Sequence, residues 1–268
     1  MQDQPRRPCI GVFDSGLGGL TVLRELRRRM PKVPLLYLAD TAYAPYGEKT
    51  PEFLAERCLV LGEHLRTQGA RMLVVACNTA TAHAIEALRQ RWPDMPIVGT
   101  EPGIKPAVAA SHNGRIGVLA TPATVASARY QSLLTRHAAG AQVISQSCPG
   151  LADLIERGDL QAPALRELIE HCCAPLRAAG VDTVLMGCTH YPLVQDQLQA
   201  ALGANVRLLN IESAVAQQAE RLWSGLNLAT DGAPGLRLQS TGDAAALTRF
   251  VHDALGWNDV QATALRTT

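Results

Sequence analysis

Short apolar runs alternate with amphipathic stretches along the whole chain. Residues 10–13, 35–38, 72–76 and 97–98 predict strands in the first part, and residues 116–120, 143–144, 183–186 and 206–209 predict strands in the second. Between them, apolar positions recur at helical spacing over residues 21–30, 51–68, 80–91 and 163–179. Strands separated by amphipathic helices predict an α/β protein with mostly parallel sheets.

The pattern repeats. Residues 65–79 (LRTQGARMLVVACNT) align without gaps to residues 176–190 (LRAAGVDTVLMGCTH), with Leu65/Leu176, Arg66/Arg177, Gly69/Gly180 and Cys77/Cys188 as identical pairs. The same offset relates Glu101 to Glu212, and Ile10-Gly11-Val12 recurs as Ile116-Gly117-Val118 at a slightly shorter one. Helix–Gly–strand units resemble one another by chance in many α/β proteins. Here a cysteine followed by polar residues ends the strand in both copies, which favours duplication. The expected architecture is two α/β lobes related by a pseudo-twofold, residues 1–99 with 211–268 forming one and 100–210 the other. Ligands of open α/β sheets bind at the carboxyl ends of strands, where both cysteines fall. Facing lobes would put the two thiols across one cleft.

Composition narrows the class. The chain has 268 residues, 47% hydrophobic and 18% charged, with a formal net charge of +1. That suits a well-filled core and offers no polybasic surface, so neither nucleic acid nor an anionic membrane is expected as a partner. The seven cysteines are odd in number and include no C-x-x-C pair, a pattern of a reducing cytoplasm rather than of disulfides or a zinc site. Arg6 and Arg7 precede an apolar run too short for a signal peptide, and no stretch approaches membrane-spanning length. A cytoplasmic location is expected.

Several segments carry candidate chemistry. Cys77-Asn78-Thr79 and Cys188-Thr189-His190 each join a thiol to hydrogen-bonding neighbours at a strand-to-helix junction, where a helix N-terminus or a cation lowers a thiol pKa. A single cysteine is more often an inert small hydrophobe; the symmetric pair argues for function. His190 is placed to relay a proton or to raise the thiolate content of Cys188. Asp14-Ser15-Gly16 opens the turn Gly16-Leu17-Gly18-Gly19. Gly16 and Gly18, with Asp40 downstream, suggest a dinucleotide fingerprint, but Thr21 stands where its third glycine belongs and Asp14 would oppose a pyrophosphate. A loop whose Ser15 and N–H groups hold a carboxylate fits better. Ala44-Pro45-Tyr46-Gly47 reads as a turn whose backbone and Tyr46 reach a ligand at the cleft mouth. Glu156 belongs to a short helix, residues 151–157, ended by Gly158. The arginines Arg24, Arg27, Arg28 and Arg29 fit a solvated helix face.

Taken together, Asp14-Ser15-Gly16-x-Gly18-Gly19, Pro45-Tyr46-Gly47, Cys77-Asn78-Thr79-Ala80 and Cys188-Thr189-His190-Tyr191-Pro192 resemble, in order and over nearly the whole chain, the glutamate racemases of the aspartate/glutamate racemase superfamily. Aspartate racemases share the paired cysteines but typically carry Glu where this chain has His190. The resemblance implies glutamate as substrate, no pyridoxal phosphate or other cofactor, no metal, a homodimer, and a supply of D-glutamate for peptidoglycan. It implies that Cys188 deprotonates the L-enantiomer and Cys77 the D-enantiomer, with Asp14, Glu156 and His190 as auxiliary acid/base groups. Ser15, Tyr46, Gly47, Asn78, Thr79, Thr121 and Thr189 would bind the substrate, together with Asp14, Cys77, Cys188 and His190. Asp153 competes with Glu156 for its place. Some members carry an N-terminal extension linked to activation by a cell-wall precursor; with nine residues before Ile10, none is expected here. A racemase for aspartate or another amino acid is the alternative within the class. A Cys-dependent hydrolase built on Cys188 and His190 would leave Cys77 unexplained, and sequence-adjacent Cys and His rarely pair. A non-catalytic amino-acid-binding protein would ordinarily carry a signal peptide.

Overall fold

The computed structural model describes residues 7–228 and 235–265. Within them the strands are β1 (Cys9–Asp14), β2 (Leu35–Ala39), β3 (Ala70–Val75), β4 (Ile97–Gly99), β5 (Arg115–Ala120), β6 (Gln142–Ser147), β7 (Thr183–Met186), β8 (Arg207–Leu209), β9 (Leu236–Ser240) and β10 (Ala262–Ala264). The helices are α1 (Leu20–Arg29), α2 (Pro51–Thr67), α3 (Asn78–Arg91), α4 (Ile104–Ala110), α5 (Pro122–Ala126), α6 (Ala128–His137), α7 (Leu151–Glu156), α8 (Pro163–Ala178), α9 (Gln195–Leu202), α10 (Glu212–Gly225) and α11 (Ala244–Leu255). The eight strands expected from the apolar runs are all present, as are the four long helices.

Two sheets result, ordered β10-β9-β2-β1-β3-β4 and β6-β5-β7-β8, with every pairing among the described strands parallel. The second order is that of β2-β1-β3-β4, so the two lobes share one winding. The central strands β1, β2, β3, β5 and β7 are largely apolar because helices cover both faces. In the first sheet Ile10 and Val12 face one core, while Cys9 and Phe13 face the other. In the second, Ile116 and Val118 face one core and Leu119 the other.

The repeat has a local physical basis. Gly69 and Gly180 follow α2 and α8 with φ of 103° and 66°, the left-handed geometry that ends a helix and turns the chain into the next strand. Gly11 and Gly117 lie where those helices press on the central strands. A Cβ at Gly11 would stand 3.0 Å from the Cβ atoms of Leu65 and Ala70, and one at Gly117 would stand 2.8 Å from Leu176 Cδ1. The pairs Leu65/Leu176 and Gly11/Gly117 are therefore one helix-on-strand contact made twice. Glu101 and Glu212 do not stay equivalent: Glu101 pairs with Arg129 at the surface, and Glu212 is buried.

β9 and β10 were not expected from sequence. β9 alternates Leu236 and Leu238 with Arg237 and Gln239, and β10 has three small residues, so neither shows the continuous apolar run of a strand covered on both faces. No helix among the described residues is long and apolar enough to cross a membrane.

Because the neighbours of Gly11 include two Cβ atoms fixed to backbone, they cannot swing aside. Gly11→Ala is expected to cost about 1–3 kcal/mol of stability, read from the midpoint of urea unfolding; an unchanged midpoint would contradict the close contact.

Candidate active site

In each lobe the winding reverses between the central strand and its neighbour, β1/β3 in one and β5/β7 in the other, which is where open sheets present ligands. The carboxyl ends of these four strands supply Asp14, Cys77, Thr121 and Cys188. They meet in one cleft of about 610 Å³ including its mouth. Its lining includes Ser15, Tyr46, Gly47, Cys77, Asn78, Thr79, Thr121, Glu156, Cys188, Thr189 and His190. Of the expected site residues only Asp14 stands back from it, fully buried behind Ser15.

The turn after β1 is occupied by the protein's own carboxylates. Asp14 accepts hydrogen bonds from the Ser15 N–H at 2.7 Å, the Ser15 hydroxyl at 3.2 Å, and the Gly19 N–H that opens α1. The Leu17 N–H donates to Glu156 of the other lobe at 2.8 and 3.0 Å. This corrects the expectation that these N–H groups hold a ligand carboxylate. It also gives the glycines a different purpose from a dinucleotide loop. A Cβ at Gly16 would overlap the Glu156 carboxylate, and one at Gly18 the His190 imidazole. Burial pushes the Asp14 carboxyl above its usual range and nearby Glu156 adds to this, against the opposing pull of His190 and the N–H donors.

Cys77 is the N-cap of α3: its Sγ accepts from the Ala80 N–H at 3.4 Å, a place usually held by an oxygen side chain. It also lies 3.9 Å from the Ser15 hydroxyl. The sequence suggested a thiol made acidic by the helix end. Instead burial pushes Cys77 well above an ordinary thiol, Asp14 and Cys188 add to this, and the Ala80 N–H offsets only part. Beside it, Asn78 Nδ2 donates to the Thr100 carbonyl at 2.9 Å, leaving Oδ1 buried with no partner. Thr79 Oγ1 meets Thr121 Oγ1 across the lobes at 3.0 Å, and Thr121 donates to Thr124 at 2.9 Å. Thr124 was not anticipated, although its spacing from Thr121, which caps α5, is a helix-start signal.

On the opposite wall a chain of contacts leads away from Cys188. Its Sγ is 3.7 Å from His190 Nδ1, and His190 Nε2 is 2.6 Å from Glu156 Oε2. Neighbours two residues apart meet here, as the relay reading of His190 requires although adjacent Cys and His rarely pair, because the tight bend after β7 folds the imidazole back over the thiol. Burial alone would lower the His190 pKa. The adjoining Glu156 carboxylate and the Cys188 contact reverse this and hold the imidazole well above its ordinary value. Asp153 lines the same wall without a bond to His190; burial, then the charge on Glu48, pushes its carboxyl up. Tyr46 lines the cleft, and its hydroxyl donates to Asp40 at 2.5 Å. Cys148, a third thiol, also reaches the lining.

The two lobes bring Cys77 and Cys188, from equivalent strand ends, to one shared cleft, the arrangement of a catalyst that works on both faces of a small ligand. Comparison with known proteins agrees. Residues 10–219 match the model of the Asp/Glu/Hydantoin racemase family. A glutamate racemase of Pseudomonas syringae pv. tomato is 52% identical over 223 residues, 83% of this chain and 81% of the relative. The chain superposes on a glutamate racemase isoform, RacE1, of Bacillus anthracis with a TM-score of 0.87 at 29% identity, covering 97% of this chain and 98% of that one. It superposes on Escherichia coli glutamate racemase, solved with L-glutamate and the activator UDP-MurNAc-ala, with a TM-score of 0.85 at 30% identity over 97% and 98% of the two chains. The chain belongs to the Asp/Glu/Hydantoin racemase family, with the two-lobed α/β fold of these structures.

A raised histidine pKa stabilises the folded state fully below about pH 6.5 and loses that contribution as pH rises through the folded value. Glu156→Gln removes the main cause of the rise. The variant should therefore be less stable than wild type by about 1.5–3 kcal/mol between pH 5 and 6.5, with a gap that narrows in alkaline solution. Thermal unfolding across pH measures this, and a gap that stays constant with pH would contradict it.

Proposed function

We propose that this chain is a glutamate racemase that interconverts L- and D-glutamate with its own residues alone, supplying D-glutamate for peptidoglycan. The observation that carries the reading is the convergence of Cys77 and Cys188, from equivalent strand ends of the two lobes, on one cleft. The names of the relatives supply the substrate.

Racemisation removes the α-proton from one face and returns a proton to the other. One sulfur must be a thiolate while its opposite is a thiol, and the roles exchange with direction. In this reading Cys188 takes the proton of L-glutamate and Cys77 that of D-glutamate. His190, held as an imidazolium by Glu156, is the counter-ion and proton reservoir on the Cys188 side. Asp14 stands behind Cys77 and Ser15 as the corresponding acid, its carboxyl pushed above the usual range by burial. Glu156, rather than Asp153, is the auxiliary acid, because it alone of the two bonds His190. A thiolate at Cys77 would have no cation beside it among the described residues, and an incoming substrate ammonium supplies that charge. The α-carboxylate acquires charge as the carbon is deprotonated. Ser15, Asn78, Thr79, Thr121, Thr189 and the Tyr46-Gly47 backbone are the polar groups placed to receive it, and preorganised donors of this kind lower the barrier most where water is excluded. The lobes of this reading are residues 1–99 with 211–268, and 100–210. The enzyme acts in the cytoplasm as a homodimer without a nucleic-acid partner.

Purified protein dialysed against chelator, with no pyridoxal phosphate added, should racemise glutamate; turnover of aspartate with none of glutamate would overturn the assignment. Cys77→Ser and Cys188→Ser should each slow racemisation by about 10²–10⁴-fold in both directions. Elimination from a β-substituted amino acid needs only one base, so each variant should retain it for one enantiomer: Cys77→Ser for the L-form, Cys188→Ser for the D-form. Near-normal racemisation in either variant, or the same preference in both, would refute the two-thiol mechanism.

A further inference from the structure

Asp40 follows β2, is fully buried, and does not line the cleft. Its side chain is nevertheless bound from three directions. Arg57 of α2 forms a fork on it, Nε to Oδ2 at 2.8 Å and Nη2 to Oδ1 at 2.6 Å. The Thr241 hydroxyl donates to Oδ1 at 2.8 Å, and the Tyr46 hydroxyl to Oδ2 at 2.5 Å. The Arg57 guanidinium also lies 3.8 Å over the Tyr43 ring. Thr241 arrives from the end of β9, a strand with no counterpart in the second lobe. Around it, Thr41 Oγ1 meets Ser240 Oγ at 2.8 Å, the Ala42 N–H donates to Thr241 Oγ1 at 3.2 Å, and the Gly242 N–H donates to Thr41 Oγ1 at 3.1 Å.

What this node holds is the segment 44–48, which forms one wall of the cleft. The segment has no regular structure beyond a short 3-10 turn, Tyr46–Glu48, so side chains must fix it. Gly47 brings it against the other lobe, where a Cβ would touch Thr121 Cβ at 3.4 Å. A buried carboxylate bridging three elements is rigid only while every partner is present.

We propose that Asp40 is a positioning residue for substrate binding: with Arg57 and Thr241, the residue that follows β9, it sets the place of the 44–48 wall, and through it the fit of the substrate. The extra strand β9 is thereby part of the site's support. The proposal rests on the reading that this cleft binds glutamate.

Thr241→Val removes both bonds of this hydroxyl, the one to Asp40 and the one from the Ala42 N–H, at nearly constant shape, and Thr241→Ser restores them. In the full-length enzyme Thr241→Val should raise KM about three- to tenfold for L- and D-glutamate alike, with a smaller change in kcat, and Thr241→Ser should return KM towards wild type. Asp40→Asn should do more in the same sense. Hydrogen exchange read by mass spectrometry should speed up at residues 44–48 in Thr241→Val, whether or not substrate is present. An unchanged KM together with unchanged exchange at 44–48, or a fall in melting temperature with neither altered, would overturn the proposal. Wild-type protein inactive on glutamate would instead remove the underlying assignment, and the exchange data would still decide whether the node holds the wall.

Discussion

The Glu156 carboxylate is gripped by both lobes at once. It rises from the short helix α7, accepts the Leu17 N–H from the turn after β1, and accepts from His190 beside Cys188. Gly16 and Gly18 are glycines so that this carboxylate and this imidazole can come close to the turn. The same turn ends in the Gly19 N–H that Asp14 accepts, at the first residues of α1. One chain of hydrogen bonds therefore runs from the second lobe's thiol, through an ion pair, to the first lobe's glycine-rich turn.

The two thiols are equivalent in topology but not in surroundings. Cys188 faces a buried imidazolium, whereas Cys77 has a helix-end N–H and a buried carboxyl behind it. Burial without a cation is what holds Cys77 protonated. The cationic partner therefore stands on the Cys188 side of the cleft, and the buried carboxyl of Asp14 on the Cys77 side. The arriving ammonium can then rebalance the pair.

Much of this was legible in the chain because two constraints write themselves locally. Strands covered on both faces are largely apolar, so the central strands β1, β2, β3, β5 and β7 stood out, and the edge strands β6 and β8 showed as shorter apolar runs. Helix ends that need left-handed glycine, as at Gly69 and Gly180, fixed the register of the repeat and with it the cysteine pair. What stayed hidden depended on partners distant in sequence. Asp40 looked like a dinucleotide signal because its true partners, Arg57 and Thr241, lie 17 and 201 residues away. The turn's N–H groups looked free for a ligand because Glu156 is 139 residues from Leu17. β9 shows only partial burial, and strand pairing with β2 decides its state where its own pattern does not.

The central claim is that different groups act on the two faces of the substrate. It is tested most directly by running the reaction in D2O from L-glutamate and sampling before equilibrium. Two opposed thiols predict that the D-glutamate formed carries one solvent deuteron at the α-carbon, while the remaining L-glutamate carries almost none. Early D-glutamate that retains the original α-proton, or deuterium entering L- and D-glutamate equally from the start, would mean a single base shared by both faces, and would contradict the account.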